Sequence, residues 1–532
     1  MSFLLQESGF KLLQESGGSL LLDQAPTQFA GRAAAVFLAD IAAYDPGASQ
    51  VVTYAFASGQ GYDHAGTFYA PRIEQPAVFS RAMGGGTGGK ATASYGELTL
   101  VNNDGALDAM ADDYFDGRTL TLRYGDASAD PAAFTVLLVA TIESVAFERE
   151  RVSIRLRDRA TTLDKPFSEA RYAGNNSLPT GVEGTADDLK DQYKPRVFGR
   201  IALMQPVLVN TGKLIYQVNA AAVDAILQVY DGGAYLSQVS GDYSDLADMY
   251  NNAPASGCWR ALPSQGLFRL GSMPVGQVSC SVAESWDYLD NTAAGLIQRI
   301  LTEIGFTSSD WVADDFTALN QRNAGSLGVL IEGGETTASL IDRVCQSVGA
   351  WWGFDSLNRF RVVRFDAPSG SPVATFTDAE ILDIDRQPES QLPFWEVILR
   401  ADRNYAVQDK KSLAGVVPDD RASWYSLEYR DQKASNSAVK TSRLLADTVT
   451  YETALNGIAT AAAEATRRLN LYSARRDVVT MTVANPVSVS VEIGNVISIT
   501  TPKFGYDAGR LMTVTSLRVD YQRNLMDITC WG

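Results

Sequence analysis

The sequence predicts a mainly β protein of several domains, in which antiparallel β-barrels or sandwiches accompany an α+β insert made of helices and a hairpin. The chain has 532 residues, of which 45% are hydrophobic, so it can bury several cores. Two periodicities indicate this class. Apolar residues alternate with polar ones through much of 31–165, as in half-buried strands, whereas in 291–375 they recur every three or four residues, as on one helix face.

The alternation is clearest at Thr119–Tyr124 and Arg151–Arg157, and turn signals such as Asn103–Gly105 separate the runs. Several short strands at this spacing indicate an antiparallel barrel or sandwich. Later in the chain, a long helix is predicted over 453–472 and is followed by further strands. We therefore expect five segments: a hairpin arm (1–30), a first β domain (31–165), a second β-rich domain with a long linker loop (166–290), an α+β module (291–375) and a C-terminal β domain with a long helix (376–532).

The α+β module is predicted from two amphipathic helices. Their apolar residues are Leu296, Ile297, Ile300, Leu301 and Ile304 in the first, and Leu340, Ile341, Val344, Cys345 and Val348 in the second. Thr336 or Thr337 can cap the second helix. This helix leads into Ala350–Phe354 and Arg359–Phe365, which we expect to pair as a hairpin. Cys345 lies on the apolar face and is expected in the core.

The net charge of −17 argues against tight binding of nucleic acid, because proteins that read duplex DNA normally present a basic face. The longest apolar run, Phe134–Ile142, is far shorter than the roughly 20 residues that cross a bilayer, so no stable membrane insertion is expected. Residues 1–23 have no basic leader and no continuous apolar core. A secretory signal is therefore not expected.

No catalytic, cofactor-binding or metal site emerges from the sequence. His64 is the single histidine and lies in a glycine-rich, loop-like stretch, so any catalytic triad or histidine-based zinc site would have to use it. Gly84–Lys90 has the spacing of a phosphate-binding loop. Ala91 follows where that loop needs a hydroxyl residue, however, and the next stretch alternates like a strand rather than a helix. We interpret it as a flexible glycine loop.

Adjacent acids and cysteines also have ordinary interpretations. Asp112-Asp113, Asp314-Asp315 and Asp419-Asp420 are weak candidates for glycosidase carboxylates, since adjacent acids usually lie on solvated turns. The four cysteines, at 258, 280, 345 and 530, have no C-x-x-C spacing, so we expect reduced thiols and no cofactor. Whether they hold an iron–sulfur cluster is left open by the sequence.

Trp351 and Trp352 directly follow the second predicted helix and allow two interpretations. They can form core between that helix and the hairpin, or they can act as a wedge at an interface, because tryptophan is enriched at binding hot spots.

Four regions of the chain carry motifs whose order along the sequence is informative. They are Tyr95–Gly105 with Asp116–Tyr124, then Lys194–Gly199, then Gly333–Phe365, and finally Val491–Thr500, Gly509–Val514 and Leu525–Gly532 after a helix with Arg467-Arg468 near its end. In this order they resemble the baseplate hub and tail-tip proteins of long-tailed bacteriophages, in particular Mu-like phages with non-contractile tails.

The resemblance implies a structural virion protein without catalytic residues. It implies a homotrimeric ring at the distal end of the viral tail, assembled in the host cytoplasm, that acts in tail assembly and genome ejection. Each chain would supply two tube-like β domains, 31–165 and part of 376–532, so that a sixfold tube rests on a threefold tip. The implied partners are a tail-tube or distal-tail protein and a tail-tip protein or central fibre, with the tape-measure protein as a further candidate and DNA only in transit.

Two other functions stay open beside the hub, as do other baseplate roles such as that of a distal-tail or wedge protein. A receptor-binding tail adhesin would present an exposed aromatic or loop-rich platform. A glycan-degrading tail enzyme would have a deep cleft with two acids at glycosidase separation. The hub is the favoured interpretation, and under it the acidic charge would line the lumen and repel DNA phosphates.

The repeated phrase LLQESG, at 4–9 and again at 12–17, predicts a small β-hairpin arm. An interval of eight does not keep a helical seam on one side, and the repeat stops at Asp23, so neither a coiled coil nor a solenoid is expected. The arm is too apolar for a free tail and too short for a core, so we expect it to dock on an adjacent subunit or tail protein. The candidate assembly contacts are Phe3, Leu4, Leu5, Leu12, Leu13, Trp351 and Trp352.

Overall fold

The computed structural model describes residues 12–13, 19–20, 35–64, 66–84, 88–126, 133–176, 181–387, 393–484 and 491–532. The chain forms two compact units. Unit 1 comprises the chain up to Ala77 together with Glu97–Leu156, and unit 2 comprises Val78–Gly96 together with Arg157–Gly532. Strands dominate both units, which confirms the predicted mainly β, multidomain class.

Strands outnumber helices along the whole described chain. In chain order, the strands are β1 (Leu12–Leu13), β2 (Ser19–Leu20), β3 (Ala35–Asp45), β4 (Gln50–Ser58), β5 (Tyr62–His64), β6 (Thr67–Gln75), β7 (Phe79–Ala82), β8 (Gly89–Lys90), β9 (Thr92–Ser94), β10 (Glu97–Val101), β11 (Thr119–Asp126), β12 (Thr135–Phe147), β13 (Arg151–Arg157), β14 (Arg196–Met204), β15 (Val207–Asn210), β16 (Ile215–Gln217), β17 (Ala225–Asp231), β18 (Ala234–Tyr235), β19 (Ser237–Gln238), β20 (Cys258–Leu262), β21 (Leu267–Leu270), β22 (Val278–Ala283), β23 (Gly328–Ile331), β24 (Ala350–Phe354), β25 (Phe360–Arg364), β26 (Thr375–Thr377), β27 (Ile381–Gln387), β28 (Phe394–Ala401), β29 (Arg430–Ser435), β30 (Asp447–Glu452), β31 (Val478–Ala484), β32 (Val496–Thr501), β33 (Tyr506–Asp520) and β34 (Leu525–Trp531). The α-helices are α1 (Leu246–Asn251), α2 (Ala293–Glu303), α3 (Ala313–Arg322), α4 (Thr337–Val348), α5 (Asp419–Tyr425), α6 (Ser437–Ser442) and α7 (Ile458–Ser473). Within the described ranges, none of these helices is both long and apolar enough to cross a bilayer.

Unit 1 is built around a closed β-barrel. Its strands follow the order β10-β13-β12-β11-β3-β4-β6, and β10 closes the ring by pairing with β6, where Leu100 lies opposite Ile73. The pairing is antiparallel at β3–β4, β3–β11 and β11–β12, and parallel at β4–β6. The alternate residues of β11 and β13 that are buried are Leu120, Leu122, Val152, Ile154 and Leu156. The predicted alternation is therefore confirmed. Of the two architectures that the sequence allowed, a barrel or a sandwich, the structure shows a barrel.

The segment Val78–Gly96 lies between β6 and β10 in sequence but belongs to unit 2. β7 pairs antiparallel with β33, and β8 pairs in parallel with β24. Arg81, only 2% exposed, forms an ion pair with Glu492, with Nη1 and Oε2 2.5 Å apart. In sequence this segment falls inside the expected first domain, 31–165. It belongs to unit 2 because its strands pair with strands that are hundreds of residues away. The expected domain boundaries all stay predictions.

The α+β module of unit 2 forms where the periodicity predicts it. α2 and α4 bury the predicted apolar faces, and the Thr336 hydroxyl caps α4 by accepting a hydrogen bond from the Ser339 N–H at 3.2 Å. β24 and β25 pair antiparallel as the expected hairpin, and Cys345 is fully buried in the core that these elements share. α3 was not predicted, because only Phe316 and Leu319 among its ten residues are buried.

Among the described residues, unit 2 contains four further sheets. Two five-stranded sheets, β18-β17-β22-β14-β23 and β15-β16-β21-β20-β19, contribute to a core that includes Val197, Trp259, Phe268 and Cys280. Near the end of the chain lie the mixed sheet β26-β32-β33-β34-β31-β27 and the three-stranded sheet β29-β28-β30. α7 packs on the three-stranded sheet, and its Leu469 shares a core with Val397 and Leu399 of β28.

The long helix begins five residues later than the sequence indicated, at Ile458 rather than 453. Thr453 instead continues the course of β30, and its N–H donates to the Arg400 carbonyl at 2.9 Å. Gly457 follows with a φ of 99°, which lies outside the helical region, and its N–H donates to Asp402 Oδ1 at 2.7 Å. The helix can therefore start only after this glycine.

The middle of α7 carries a buried ionic network. Glu464 is 3% exposed, and its Oε1 lies 2.8 Å from Arg468 Nε and 2.6 Å from Arg467 Nη2. The two arginines also donate to backbone carbonyls outside the helix, Arg468 to Gln346 at 2.6 Å and Arg467 to Phe365 at 2.8 Å. Burial alone would raise the pKa of Glu464, but the hydrogen bond from Arg467 and the charges of both arginines hold that pKa below its usual value. The network thus links α7 to the ends of α4 and β25.

We expect Glu464→Gln to lower the free energy of unfolding by about 3 kcal/mol, because it leaves two guanidinium groups underpaired in the interior. The pH dependence has a definite sign. Since the pKa of Glu464 is lower in the folded state than in the unfolded state, its stabilisation is present above about pH 4.3 and is lost as the pH falls through the folded-state pKa. Urea denaturation of both proteins between pH 7 and pH 3 measures the difference.

The matched control for this prediction is Asp431→Asn. It removes an exposed carboxylate 3.7 Å from Arg400 Nε, and such a pair contributes less than about 1 kcal/mol. Equal losses in the two variants would contradict a special role for the buried network.

Candidate assembly interface

The N-terminal arm is described at two short strands. Leu12–Leu13 pairs antiparallel with Ser19–Leu20, with Leu12 opposite Leu20 and Leu13 opposite Ser19. Phe3, Leu4 and Leu5 lie outside the described residues. As assembly contacts, Leu12 and Leu13 stay a prediction.

Trp351 and Trp352 lie on β24, and both are buried in unit 2, at 6% and 1% exposure. The Trp352 Nε1–H donates to Asp342 Oδ1 at 2.6 Å, and its ring stacks on Phe360 with centroids 5.7 Å apart. Burial raises the pKa of Asp342, although the hydrogen bond from Trp352 opposes this. This placement fits the core interpretation of the tryptophan pair. An additional role at an interface stays a prediction.

The glycine-rich stretch that mimics a phosphate-binding loop ends as a strand. Gly89 lies opposite Trp351 and Lys90 opposite Trp352, so β8 extends the β24–β25 hairpin. Strand β9 follows directly, which confirms that no helix stands where a phosphate loop would need one. Lys90 Nζ lies 3.5 Å from Asp164 Oδ1 and 5.7 Å from the Trp352 ring centroid, so its charge is engaged inside the fold.

We expect Gly88→Ala to lower the free energy of unfolding by at least about 2 kcal/mol. Gly88 has a φ of 135°, and an added Cβ would lie 2.5 Å from the Ala350 carbonyl oxygen. Thermal unfolding measures the loss. Gly370→Ala is the control, because its φ of 86° carries the same kind of backbone strain but no atom lies within 4 Å of an added Cβ. Equal shifts in Tm would show that the close approach to β24 does not matter.

His64 and the adjacent acids have structural surroundings that the sequence did not indicate. His64 ends strand β5, opposite Thr67 of β6, rather than lying in a loop. The Tyr54 hydroxyl donates to Asp113 Oδ2 at 2.5 Å, and Asp315, in the first turn of α3, lies 2.5 Å from Arg361 Nε. Asp419 and Asp420 occupy the first turn of α5, where carboxylates stabilise a helix.

The four cysteines are unbridged, and three of them lie in three different hydrophobic cores. Burial raises the pKa of the Cys280, Cys345 and Cys530 thiols well above the usual range, which disfavours the thiolate form that binds metal. In the described part of the chain, no group of three or more histidine, cysteine or acidic side chains could hold a metal ion.

Sequence reasoning missed an exposed aromatic loop. The residues that follow β22, Ser285–Asn291, form what we call the Trp286 loop. Trp286, Tyr288 and Leu289 expose 58%, 57% and 57% of their surface. A W-x-Y-L run directly after an apolar strand is the signal that could have found it, but residue type alone does not separate an exposed aromatic from a core one.

A second missed feature is a cavity of about 620 Å³ beside α7, which we call the α7 cavity. It lies between the outer face of this helix and the chain that follows β25. Its lining includes Asp366, Ser369, Ala463, Arg467, Leu471 and Arg476. The walls therefore combine small apolar and polar groups with two guanidinium groups and one carboxylate.

The solved structures similar to this chain include proteins of phage tails, a phage baseplate, a gene transfer agent particle and a PdpA–VgrG complex. No protein-family model matches the sequence, and no curated protein matches it.

Three of the similar structures are tail proteins. The 43 kDa tail protein of prophage MuSo2 from Shewanella oneidensis is 9% identical, with a TM-score of 0.38 over 88% of this chain and 95% of that one. The tail protein from Neisseria meningitidis MC58 is 11% identical, with a TM-score of 0.39 over 88% and 94%. The prophage tail protein gp18 from Listeria monocytogenes EGD-e is 8% identical, with a TM-score of 0.38 over 93% and 94%.

Proposed function

We propose that this chain is a structural hub of a phage tail tip. In this proposal it forms a homotrimeric ring at the distal end of the tail, joins the tail tube to the tip protein or fibres, and lets DNA pass. The proposal starts from the order of the four motif regions in the sequence. The main structural support for a hub is the uneven distribution of charge between the two units.

Unit 1, which contains the closed barrel, is by far the more acidic part of the chain. Residues 1–77 and 97–156 contain 18 acidic and 8 basic residues, a net charge of −10. The remaining 395 residues contain 44 acidic and 37 basic residues, a net charge of −7. About a quarter of the chain therefore carries more than half of its net charge.

This charge supports passage of DNA rather than its retention. Proteins that bind DNA neutralise phosphates with Lys and Arg and gain affinity by releasing counterions. A unit with a net charge of −10 does the opposite, because it repels phosphates and leaves a passing duplex without a binding register. Barrels arranged around the tail axis would therefore give a lumen along which DNA slides.

The oligomeric state tests the hub proposal directly. We expect the purified chain to form a trimer in sedimentation and light-scattering measurements, and a threefold ring in negative-stain images. A chain that stays monomeric at all accessible concentrations and hydrolyses cell-wall or capsular glycans would overturn the hub and favour a tail enzyme.

We also propose that the N-terminal arm contributes to this assembly. Its leucines need a partner surface, because an isolated two-stranded hairpin is only marginally stable in water. The paired strands Leu12–Leu13 and Ser19–Leu20 support the hairpin, and the apolar residues before them support docking on a neighbouring subunit.

Deletion of residues 1–23 tests the arm. We expect the circular dichroism spectrum to stay unchanged and the trimer to become weaker. The protein concentration at which half of the trimer has dissociated should rise about tenfold, since a docked arm of this size adds at least about 1.4 kcal/mol to the free energy of association. The control replaces Glu7 and Glu15 with Gln and keeps every apolar residue. A deletion variant that keeps full association would show that the arm does not contact a neighbouring subunit.

A further inference from the structure

The Trp286 loop is built to present its aromatic side chains in one arrangement. The Trp286 N–H donates to Asp224 Oδ2 at 2.7 Å, which fixes the start of the loop. Asn291, only 4% exposed, donates from Nδ2 to the Ser285 and Asp287 carbonyls at 3.0 and 2.9 Å, which fixes its end. A braced loop loses little conformational entropy when it binds, so exposed tryptophan and tyrosine there have the properties of a binding hot spot.

The surroundings of the exposed rings are acidic. Asp224, Asp287 and Asp290 accept hydrogen bonds from within the loop, and none of the three has an ion pair with Lys or Arg among the described residues. Glu284, just before the loop, is paired with Arg299. A partner surface must therefore offer both an apolar recess for the rings and positive charge at its rim.

The α7 cavity has this chemistry. On one side of the cavity, Asp366 lies 3.0 Å from Arg467, 3.3 Å from Arg364 and 3.5 Å from Arg322, and Arg467 is also paired with Glu464 at 2.6 Å. Three arginines against two carboxylates leave a net charge of +1, and of these five residues Arg467 and Asp366 line the cavity itself. Arg476 lines the cavity as well, and burial together with the charge of Arg510 lowers the pKa of Arg476. Guanidinium groups are weakly hydrated and stack on aromatic faces, which makes such a recess suitable for tryptophan or tyrosine.

We propose that the Trp286 loop of one copy of this chain inserts into the α7 cavity of the next copy. The occupant follows from charge complementarity within one acidic chain, because the loop carries aromatic rings beside three aspartates and the cavity is lined by two arginines, Arg467 and Arg476, and one carboxylate, Asp366. The two surfaces are different patches, so the contact is heterologous, and repeated contacts of this kind close into a ring when the rotation allows. This inference rests on the proposed ring-forming function and names the contact that would build it.

A cross-linking experiment tests the contact itself. Two variant chains are mixed, one with Asp287→Cys in the loop and one with Ser369→Cys at the cavity, and they are oxidised under mild conditions. We expect a disulfide-linked pair that contains one copy of each variant. The control mixes the Asp287→Cys chain with a Leu444→Cys chain, because Leu444 is 90% exposed and does not line the cavity. Equal yields from the two mixtures would overturn the proposal.

Association measurements provide a second, independent test. Trp286→Ala should raise the dissociation constant of the oligomer about 30-fold, as expected for a hot-spot residue. Ala463→Trp, which fills the cavity from an exposed position on α7, should have a similar effect. Met273→Ala is the matched control, because it removes a side chain that is 70% exposed elsewhere on unit 2. Circular dichroism shows whether each variant keeps its fold.

The outcomes separate this inference from the hub proposal. A trimer that forms without selective cross-linking and is unaffected by Trp286→Ala would overturn the loop-in-cavity contact and leave the hub standing. A chain that never associates would overturn both. Loss of association in Trp286→Ala without a cross-link to the cavity would show that the loop binds a different surface, which also overturns the proposed occupant.

Discussion

The ion pair between Arg81 and Glu492 joins two parts of unit 2 that are 411 residues apart in sequence, and it constrains how the segment Val78–Gly96 packs. Arg81 is 2% exposed, so a guanidinium group without this carboxylate would be a costly buried charge. Arg81 lies on β7, which pairs with β33 along its backbone, and Glu492 lies just before β32 of the same sheet, so the ion pair and the strand pairing together hold Val78–Gly96 in the second unit. Contacts of such separation are slow to form, because closing a long loop costs entropy before the contact contributes stability.

The same segment explains why a glycine stands at position 88. Between β7 and β9 the chain must come close enough to the β24 backbone for β8 to pair with it. At Gly88 an added Cβ would meet the Ala350 carbonyl, so this position requires glycine for space as well as for its φ of 135°. Tyr95 then ends the segment, packed on Phe79 with ring centroids 5.2 Å apart. A stretch that resembled a nucleotide-binding loop is thus explained by strand packing.

Local periodicity predicted the elements whose buried face is visible in their own residues. β11 and β13 follow from alternation, and α2 and α4 follow from apolar spacing, because each pattern depends only on which face is buried. The predicted start of α7 was wrong, although Gly457 was visible in the sequence as a helix breaker. The assignment of Val78–Gly96 to unit 2 depends on strands far away in the chain, and no local signal carries that information.

The candidate interface residues were likewise only partly predictable from the sequence. Trp351 and Trp352 were identified by residue type, and type alone left core and interface both open. Burial then distinguishes them from Trp286, which stands 58% exposed on a braced loop. The buried network at Glu464 was visible only as Arg467-Arg468 near a helix end. Its carboxylate partner is three and four residues away, but its carbonyl partners, Gln346 and Phe365, lie on other elements that the sequence does not bring together.

Copies of an acidic chain can associate where one of the two contacting surfaces is locally positive. Copies with a net charge of −17 repel each other, but at physiological ionic strength this repulsion is screened beyond about 8 Å, so short-range contacts decide the outcome. Most of the net charge belongs to unit 1, whereas the arginine-lined recess and the Trp286 loop both belong to unit 2. Apolar rings that displace water from the recess also strengthen the attraction between arginines and loop carboxylates, because charges interact more strongly where water is excluded. Under the proposed function, an acidic barrel that repels DNA and a second unit that holds copies together are therefore compatible within one chain.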